Sequence, residues 1–219
     1  MMNHLSYMDF TYAGFPARKH KRLIRFMAKK EVFDHKISGP LMRAMKHIPV
    51  DRHAGAESYQ MAVAALRAGE VVGVYPEATM SRSFEIKELK TGAARMAQET
   101  GCPILPTIVW GAHRIWTKDL PKQIGRTKTP IHVTVGAPIH VGPEDDVMEV
   151  TQRLRAEMQR LLAEHVDRGV GQFERAAVRV RVHRGEFFPG HLLHPHPRRM
   201  EGEAFGRYAP ARAEQRRDF

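Results

Sequence analysis

A histidine and an aspartate five positions apart, near the start of the chain, have the residue types of a general-base pair. His4 and Asp9 lie in the turn-prone stretch Asn-His-Leu-Ser-Tyr-Met-Asp. At this spacing the carboxylate can hold one ring nitrogen by a hydrogen bond and leave the other nitrogen free to accept a proton. The spacing alone leaves an alternative open, in which His4 is an ordinary residue and Asp9 only caps a turn.

A second polar cluster follows a predicted buried strand over residues 71–75. The chain there reads Tyr-Pro-Glu-Ala-Thr-Met-Ser-Arg-Ser, from Tyr75 to Ser83. Open α/β sheets place ligand sites at the carboxyl ends of their strands, and an arginine at such a position can bind phosphate through two parallel hydrogen bonds. The alternative interpretation of this segment is an ordinary polar loop.

A short apolar run that ends in an Asp-Arg pair lies between these two segments. It covers Ile48 to Arg52 and stands just before a predicted helix. Considered alone, Asp51 is best explained as a cap of that helix, and Arg52 as a solvated side chain.

Helices and strands must alternate around these three segments to position them. Apolar residues at helical spacing, followed by Gly69 and Gly101 as stop signals, predict helices over residues 54–66 and 89–100. Apolar runs predict strands over 71–75, 104–110 and 131–135, and a long amphipathic helix is predicted from Pro143 onwards. This alternation indicates an α/β fold with a mixed, mainly parallel sheet flanked by helices.

In this order the segments resemble the glycerolipid acyltransferase family, which includes the glycerol-phosphate and lysophosphatidic acid acyltransferases. The first block of that family is Asn-His, four residues, Asp, and Asn3 to Asp9 match it. The second block is an apolar run ending in Asp-Arg, which Ile48 to Arg52 match. The third block, usually Phe-Pro-Glu-Gly-Thr-Arg-Ser, is similar to Tyr75–Ser81, and Cys102–Pro106 match a Val-Pro-Ile-Val-Pro-like fourth block. The resemblance runs from Asn3 to about Val141.

This resemblance implies a glycerol-3-phosphate acyltransferase-like fold and an acyl-transfer reaction. His4 would act as the general base and Asp9 would hold its tautomer, while an acyl group passes from coenzyme A or acyl carrier protein to a lysophospholipid hydroxyl. The implied acceptor is 1-acylglycerol 3-phosphate, and the implied product is phosphatidic acid; an acyltransferase acting on a different acceptor is the alternative. The reaction requires a thioester co-substrate and neither a metal nor another cofactor.

The resemblance also implies the residues that bind the substrate. By position these are Arg52, Glu77, Thr79, Ser81 and Arg82. Two residues depart from the third block, because Ala78 stands where the family has glycine and Met80 stands where it has arginine. Ala78 cannot adopt a positive φ cheaply, and Met80 cannot bind phosphate. Arg82 is therefore predicted to replace the missing arginine.

Family members carry a strand and membrane-associating helices ahead of the first block, whereas here only Met1 and Met2 precede Asn3. A strand leading into Asn3 would help to aim His4. The chain is accordingly expected to be a truncated or mis-started form with impaired activity.

The length and composition predict one catalytic domain and a tail. A chain of 219 residues with 42% hydrophobic residues can bury one full core, which we assign to residues 1–169. Beyond Gly169 the sequence is basic and rich in Pro, His and Arg, so residues 170–219 are predicted to form a largely disordered tail. Three histidines in this tail lack the partners that a metal site needs. They are His191, His194 and His196.

The formal charge of +11 favours polyanionic partners, among them an anionic membrane surface. The basic segment Arg18–Lys30 is predicted to form a helix that lies on anionic lipid; a solvated basic face and steering of donor phosphates are the alternatives. Cys102 is the only cysteine, and no signal peptide or spanning segment is evident. We therefore expect a cytoplasmic protein that associates peripherally with the inner face of the cell membrane.

The same charge leaves a basic nucleic-acid-binding module as the alternative function. No helix-turn-helix signature, zinc-finger spacing or aromatic platform supports it, so no specific nucleic acid is expected as a partner. A serine hydrolase is a further possibility, but the chain has no Gly-x-Ser-x-Gly elbow.

Overall fold

A computed structural model describes residues 1–51, 55–125, 129–168 and 178–182 of the chain. Its strands are β1 (Ile24–Lys29), β2 (Ile48–Val50), β3 (Val71–Gly73), β4 (Thr107–Trp110), β5 (Ile131–Val135) and β6 (Val178–Val182). Its helices are α1 (Asp9–Arg18), α2 (Lys30–Asp34), α3 (Ser38–Ala44), α4 (Gly55–Arg67), α5 (Gly92–Thr100) and α6 (Val147–Arg168), with a short 3-10 helix at Ala112–Arg114.

The strands form two three-stranded sheets. The first has the order β2-β1-β3 and is parallel throughout, with Met27 opposite Ile48 and Phe26 opposite Gly73. The second has the order β4-β5-β6, in which β4 and β5 are antiparallel and β5 and β6 are parallel. The predicted fold class, a mixed and mainly parallel sheet flanked by helices, is confirmed.

The first three residues join the two sheets. The Met2 N–H donates to the carbonyl oxygen of Val74 at 3.1 Å, on the β3 side. On the other side the N–H of Thr107 donates to the Met1 carbonyl at 2.7 Å, and the N–H of Asn3 donates to the Thr107 carbonyl at 3.3 Å. Residues 1–3 therefore run as an extended segment between β3 and β4, and they pair with β4 in the parallel direction.

The side chain of Asn3 strengthens this joint. Its amide nitrogen donates to the Val109 carbonyl at 3.1 Å, and its amide oxygen accepts from the Val109 N–H at 2.8 Å. The side chain thus pairs with β4 as the backbone of a neighbouring strand would, and it is fully buried. The residue that follows, His4, leaves the sheet from a fixed position.

A cavity of about 140 Å³ lies beside this joint. It is bordered by Val71–Val74 on one side and by Pro103–Leu105 on the other, and its lining is mainly apolar. Neither His4 nor Asp9 lines it, so the cavity is separate from the candidate catalytic pair.

Glycine ends a predicted helix, and an apolar stripe on a predicted helix is buried in the core. Gly101 ends α5 with a φ of 68°, in the left-handed region, and its N–H donates to the Ala97 carbonyl. The long helix α6 buries the stripe that its sequence predicted, including Val150, Leu154, Met158 and Leu161, against Ile108 and the α5 alanines. These helices and the 131–135 strand confirm the periodicity predictions.

The structure bears on two further expectations, those for the basic segment and for the tail. The segment Arg18–Lys30 is not a helix, because Ile24–Lys29 form β1 inside the first sheet, where Phe26 is buried. Five residues of the predicted tail, Val178–Val182, form β6 beside β5. Residues 169–177 and 183–219, with the three tail histidines, lie outside the described residues, so the domain boundary stays a prediction.

No helix among the described residues combines the length and apolar composition that a bilayer crossing requires.

Candidate active site

His4 and Asp9 are brought together by the turn between the joining segment and α1. Asp9 is the first residue of α1, and its Oδ2 accepts hydrogen bonds from the N–H groups of Leu5 and Ser6 at 2.7 Å each. The same oxygen lies 3.2 Å from Nδ1 of His4. The carboxylate therefore folds the turn and holds the imidazole at the same time, which confirms the predicted contact between the two side chains.

The ring of His4 has one nitrogen held and one free. Because Oδ2 of Asp9 is an acceptor, Nδ1 carries the hydrogen of this bond, and the lone pair belongs to Nε2. Nε2 makes no hydrogen bond within the described residues, and the side chain is 24% exposed. The ring lies against Tyr75 with a centroid separation of 4.2 Å. This arrangement leaves the Nε2 lone pair able to accept a proton from outside.

Burial and hydrogen bonding act in opposite directions on the pKa of Asp9. The side chain is fully buried, and burial raises its pKa above the ordinary value. The bonds from His4 and from the N–H groups of Ser6 and Leu5 oppose this rise. Three donors on Oδ2 favour an ionised carboxylate, which is the form that stabilises an imidazolium. Tyr75 stays a neutral phenol, because burial and the Asp9 charge raise its pKa well above the ordinary value.

Glu77 and Ser81 of the third block hold the backbone of His4 from both sides. Oε1 of Glu77 accepts from the His4 N–H at 3.0 Å, and the Ser81 N–H donates to the His4 carbonyl at 2.8 Å. Oε2 of Glu77 accepts from the N–H of Lys87 at 3.1 Å. Burial raises the pKa of Glu77, and these two backbone bonds counteract the rise. The described contacts of Glu77 thus position His4, and its predicted contact with substrate stays a prediction.

Two further third-block residues, Thr79 and Met80, contact Lys87, which no motif in the sequence indicated as a site residue. Nζ of Lys87 donates to the Met80 carbonyl at 3.1 Å and to Oγ1 of Thr79 at 3.4 Å. Arg82 lies further out, where its Nε is 2.9 Å from Oδ2 of Asp119 and both side chains are more than half exposed. The Met80 sulfur lies 3.4 Å from Oγ1 of Thr117. Lys87 therefore places a cation within hydrogen-bonding distance of the backbone of Met80, the residue that stands where the family has an arginine.

Residues after β4 complete the turn around His4. Oγ1 of Thr117 donates to the Leu5 carbonyl, and Oγ of Ser6 donates to the Trp116 carbonyl, both at 2.6 Å. Neither contact was anticipated, because no local pattern marks residues 116 and 117 as partners of the first block. Asn3 did carry a signal, since it belongs to the Asn-His pair of that block.

The second block is only partly described. Ile48–Val50 form β2, at the outer edge of the first sheet, and Asp51 lies 3.5 Å from Nζ of Lys30. Arg52 lies outside the described residues, so its predicted role in binding substrate is untested.

Comparisons with known proteins agree on one family. A family model described as Acyltransferase matches residues 1–110. The chain is 35% identical over 118 residues to the 1-acyl-sn-glycerol-3-phosphate acyltransferase of Bacillus subtilis, covering 53% of this chain and 55% of that protein. It is 32% identical over 96 residues to the protein of the same name from Limnanthes douglasii, covering 42% of this chain and 34% of that protein. The matches thus span from about a third to about half the length of these curated relatives.

A solved structure shares the fold. The 1-acyl-sn-glycerophosphate (LPA) acyltransferase from Thermotoga maritima superposes with a TM-score of 0.56 at 21% sequence identity. The similarity covers 74% of this chain and 64% of that one.

Proposed function

Because this chain belongs to the acyltransferase family, we propose that it transfers an acyl group from a thioester to the free hydroxyl of a lysophospholipid. The acceptor we propose is 1-acylglycerol 3-phosphate, which gives phosphatidic acid. The observation that carries the proposal is the imidazole of His4, held at Nδ1 by buried Asp9 and free at Nε2. The names of the relatives support the choice of acceptor.

The proposed reaction passes through one tetrahedral intermediate. Nε2 of His4 takes the proton of the acceptor hydroxyl while that oxygen attacks the thioester carbonyl carbon. The new C–O bond forms, the carbonyl electrons return, and the C–S bond breaks. The thiolate leaves with the proton from the imidazolium, so His4 ends the cycle neutral. Asp9 stabilises the imidazolium while it exists, and general-base help of this kind contributes roughly 10²- to 10⁴-fold.

We assign the acceptor phosphate to the cations and hydroxyls of the third block. Lys87 and Arg82 supply the charges, and Thr79 and Ser81 supply hydroxyl donors. Lys87 has three donors and uses two of them on neutral oxygens, which leaves one for an anion. Arg82 can exchange its exposed partner Asp119 for phosphate. Arg52 is assigned to the same group by its match to the second block.

The donor we propose is acyl-coenzyme A or acyl-acyl carrier protein, and no metal or other cofactor takes part. We also propose that the chain works on the cytoplasmic side of the cell membrane, peripherally attached to an anionic inner face. The excess of cations supports this placement.

The test is acyl transfer from a labelled thioester to lysophosphatidic acid by the wild-type chain and by His4→Ala. We expect the variant to lose roughly 10²- to 10⁴-fold in kcat, with circular dichroism unchanged. His140→Ala, at an exposed histidine of the same chain, is the matched control and should keep the wild-type rate. Equal rates for wild type and His4→Ala would remove His4 from the mechanism. A wild-type chain that transfers no label from either donor would contradict the proposed reaction.

A further inference from the structure

The outer face of α3 is apolar, although it is turned towards solvent. Ile37, Leu41 and Met45 follow one another at intervals of four residues and are 81%, 56% and 37% exposed. Pro40 and Ala44, at the intervening helical positions, are exposed as well. We call these five residues the α3 apolar face. A surface helix normally turns such a stripe towards the core, so this face is available to a partner.

The opposite side of α3 is the one that packs. Met42 is buried, and Gly39 lies so close to the Phe33 carbonyl that a side chain at that position would collide with it. A guanidinium nitrogen of Arg43 donates to the same carbonyl at 2.7 Å. These contacts fix the rotation of α3, and therefore the outward direction of its apolar face.

Cations border the α3 apolar face. Lys36 and Lys46, next to Ile37 and Met45 at its two ends, are exposed. Over residues 29–46 the chain carries five lysines and arginines against two carboxylates. Apolar side chains surrounded by cations complement a bilayer that contains anionic lipid, because the apolar groups enter the acyl boundary while the cations meet the headgroups.

The α2–α3 pair, which carries this face, begins at the edge of the sheet where His4 lies. Parallel strands end at the same edge, and α2 starts at Lys30, directly after the end of β1. His4 directly follows residues 1–3, which lie on the far side of β3 from β1. Residues 1–3 and β1 are therefore two strand spacings apart, which is about 10 Å. A membrane that contacts the start of this helix pair would therefore lie close to the catalytic candidate.

From these observations we infer that the α3 apolar face docks on an anionic lipid bilayer. The inference rests on the proposed function for the lipid nature of the acceptor, and it adds the surface by which the chain reaches that acceptor.

The test is cosedimentation of the full chain with phosphatidylcholine vesicles, with and without phosphatidylglycerol. We expect binding that requires the anionic lipid, and about ten-fold weaker partitioning for Ile37→Asp, which places a charge in the apolar face. Leu23→Asp is the matched control, because Leu23 is 80% exposed and precedes the start of β1, at the opposite edge of the sheet. Leu23→Asp should bind like the wild type, and circular dichroism should show both variants folded.

Equal vesicle binding by Ile37→Asp and the wild type would overturn the inference, and so would a wild type that does not bind. A second copy of the chain on this face would also overturn it, and would appear as a lipid-independent dimer in sedimentation that Ile37→Asp dissociates. The readout is independent of catalysis. Vesicle binding without acyl transfer would refute the proposed function alone, whereas transfer to a dispersed short-chain acceptor without vesicle binding would refute the surface alone.

Discussion

The ammonium of Lys87 donates to the backbone carbonyl of Met80, the residue that stands where the family has an arginine. The two residues are seven positions apart, and the contact exists because Glu77 binds the Lys87 N–H while Arg155 of α6 donates to the Lys87 carbonyl at 3.1 Å. The phosphate role proposed for Lys87 therefore depends on contacts with residues outside the motif position that it would replace.

We predict that Lys87→Met raises the KM for lysophosphatidic acid about ten-fold or more, because a charge-assisted hydrogen bond contributes about 1.5–3 kcal/mol. Its kcat at saturation should change little, and the KM for monoacylglycerol, which lacks the phosphate, should stay the same. Lys19→Met, at an exposed position after α1, is the charge-matched control. Steady-state kinetics with both acceptors test this prediction. An equal rise in KM for both acceptors would show that Lys87 only supports the fold.

The Arg82 assignment is tested in the same series. If Arg82→Ala leaves the KM for lysophosphatidic acid unchanged, Arg82 does not replace the missing arginine.

At the scale of elements, the turn after β3 connects the first sheet to the backbone of His4. The Ala78 N–H donates to the Tyr75 carbonyl at 3.0 Å, and Ala78 has a φ of 57°. The expectation that alanine is strained at this glycine position is thus confirmed in its backbone angle. The turn holds Glu77 against the His4 N–H despite this strain.

We predict that Ala78→Gly stabilises the protein by about 0.5–1 kcal/mol. Relief of the left-handed conformation gives about 1–2 kcal/mol, and the greater freedom of the unfolded glycine chain removes about 0.4–1 kcal/mol. Ala64→Gly, the same change at an exposed site inside α4, should instead cost about 0.8–1 kcal/mol. Urea unfolding measures both, and a loss of stability in Ala78→Gly would contradict the argument.

For the whole molecule, the half-buried side chain of His113 makes stability depend on pH. His113 lies between Phe84 and Trp110, with ring centroids 4.7 and 4.6 Å away, and its Nδ1 is buried without a partner among the described residues. Burial, with a contribution from Arg114, lowers its pKa to about 4. An unfolded histidine has a pKa of about 6.5, so between these values the unfolded chain binds more protons than the folded one. His113 therefore makes the folded state lose stability as the pH falls from about 6.5 to about 4.

We predict that His113→Phe, which keeps an aromatic ring and removes the titration, flattens this part of the stability curve. Asp9 and Glu77 act in the opposite direction, because their pKa values are raised by burial and acidification favours their folded state. Their contribution is present in both proteins, so it cancels in the difference. Urea unfolding at several pH values between 4 and 6.5 measures the effect. The same slope for both proteins would show that His113 does not contribute.

The sequence alone determined the helices, strands and contacts that depend only on residues close together in the chain. The spacing of apolar residues and the glycine stops defined α4, α5, α6 and β5 to within a few residues, because a helix face or a buried strand is encoded within one segment. The His4–Asp9 contact was also predictable, since both residues belong to a single turn.

Only the tertiary structure decided which distant segments meet. The bond between Glu77 and the His4 N–H joins residues 73 positions apart, and no local pattern encodes it. The basic segment Arg18–Lys30 had the composition of a surface helix, yet its apolar residues pair with β2 and β3 as a strand. An apolar stripe shows that a partner is needed, but whether α3 turns it inward or outward depends on how the whole sheet and its helices pack. The chemical character of a segment is set by its own residues, whereas the positions of its side chains relative to distant segments are set by the packing of the whole chain.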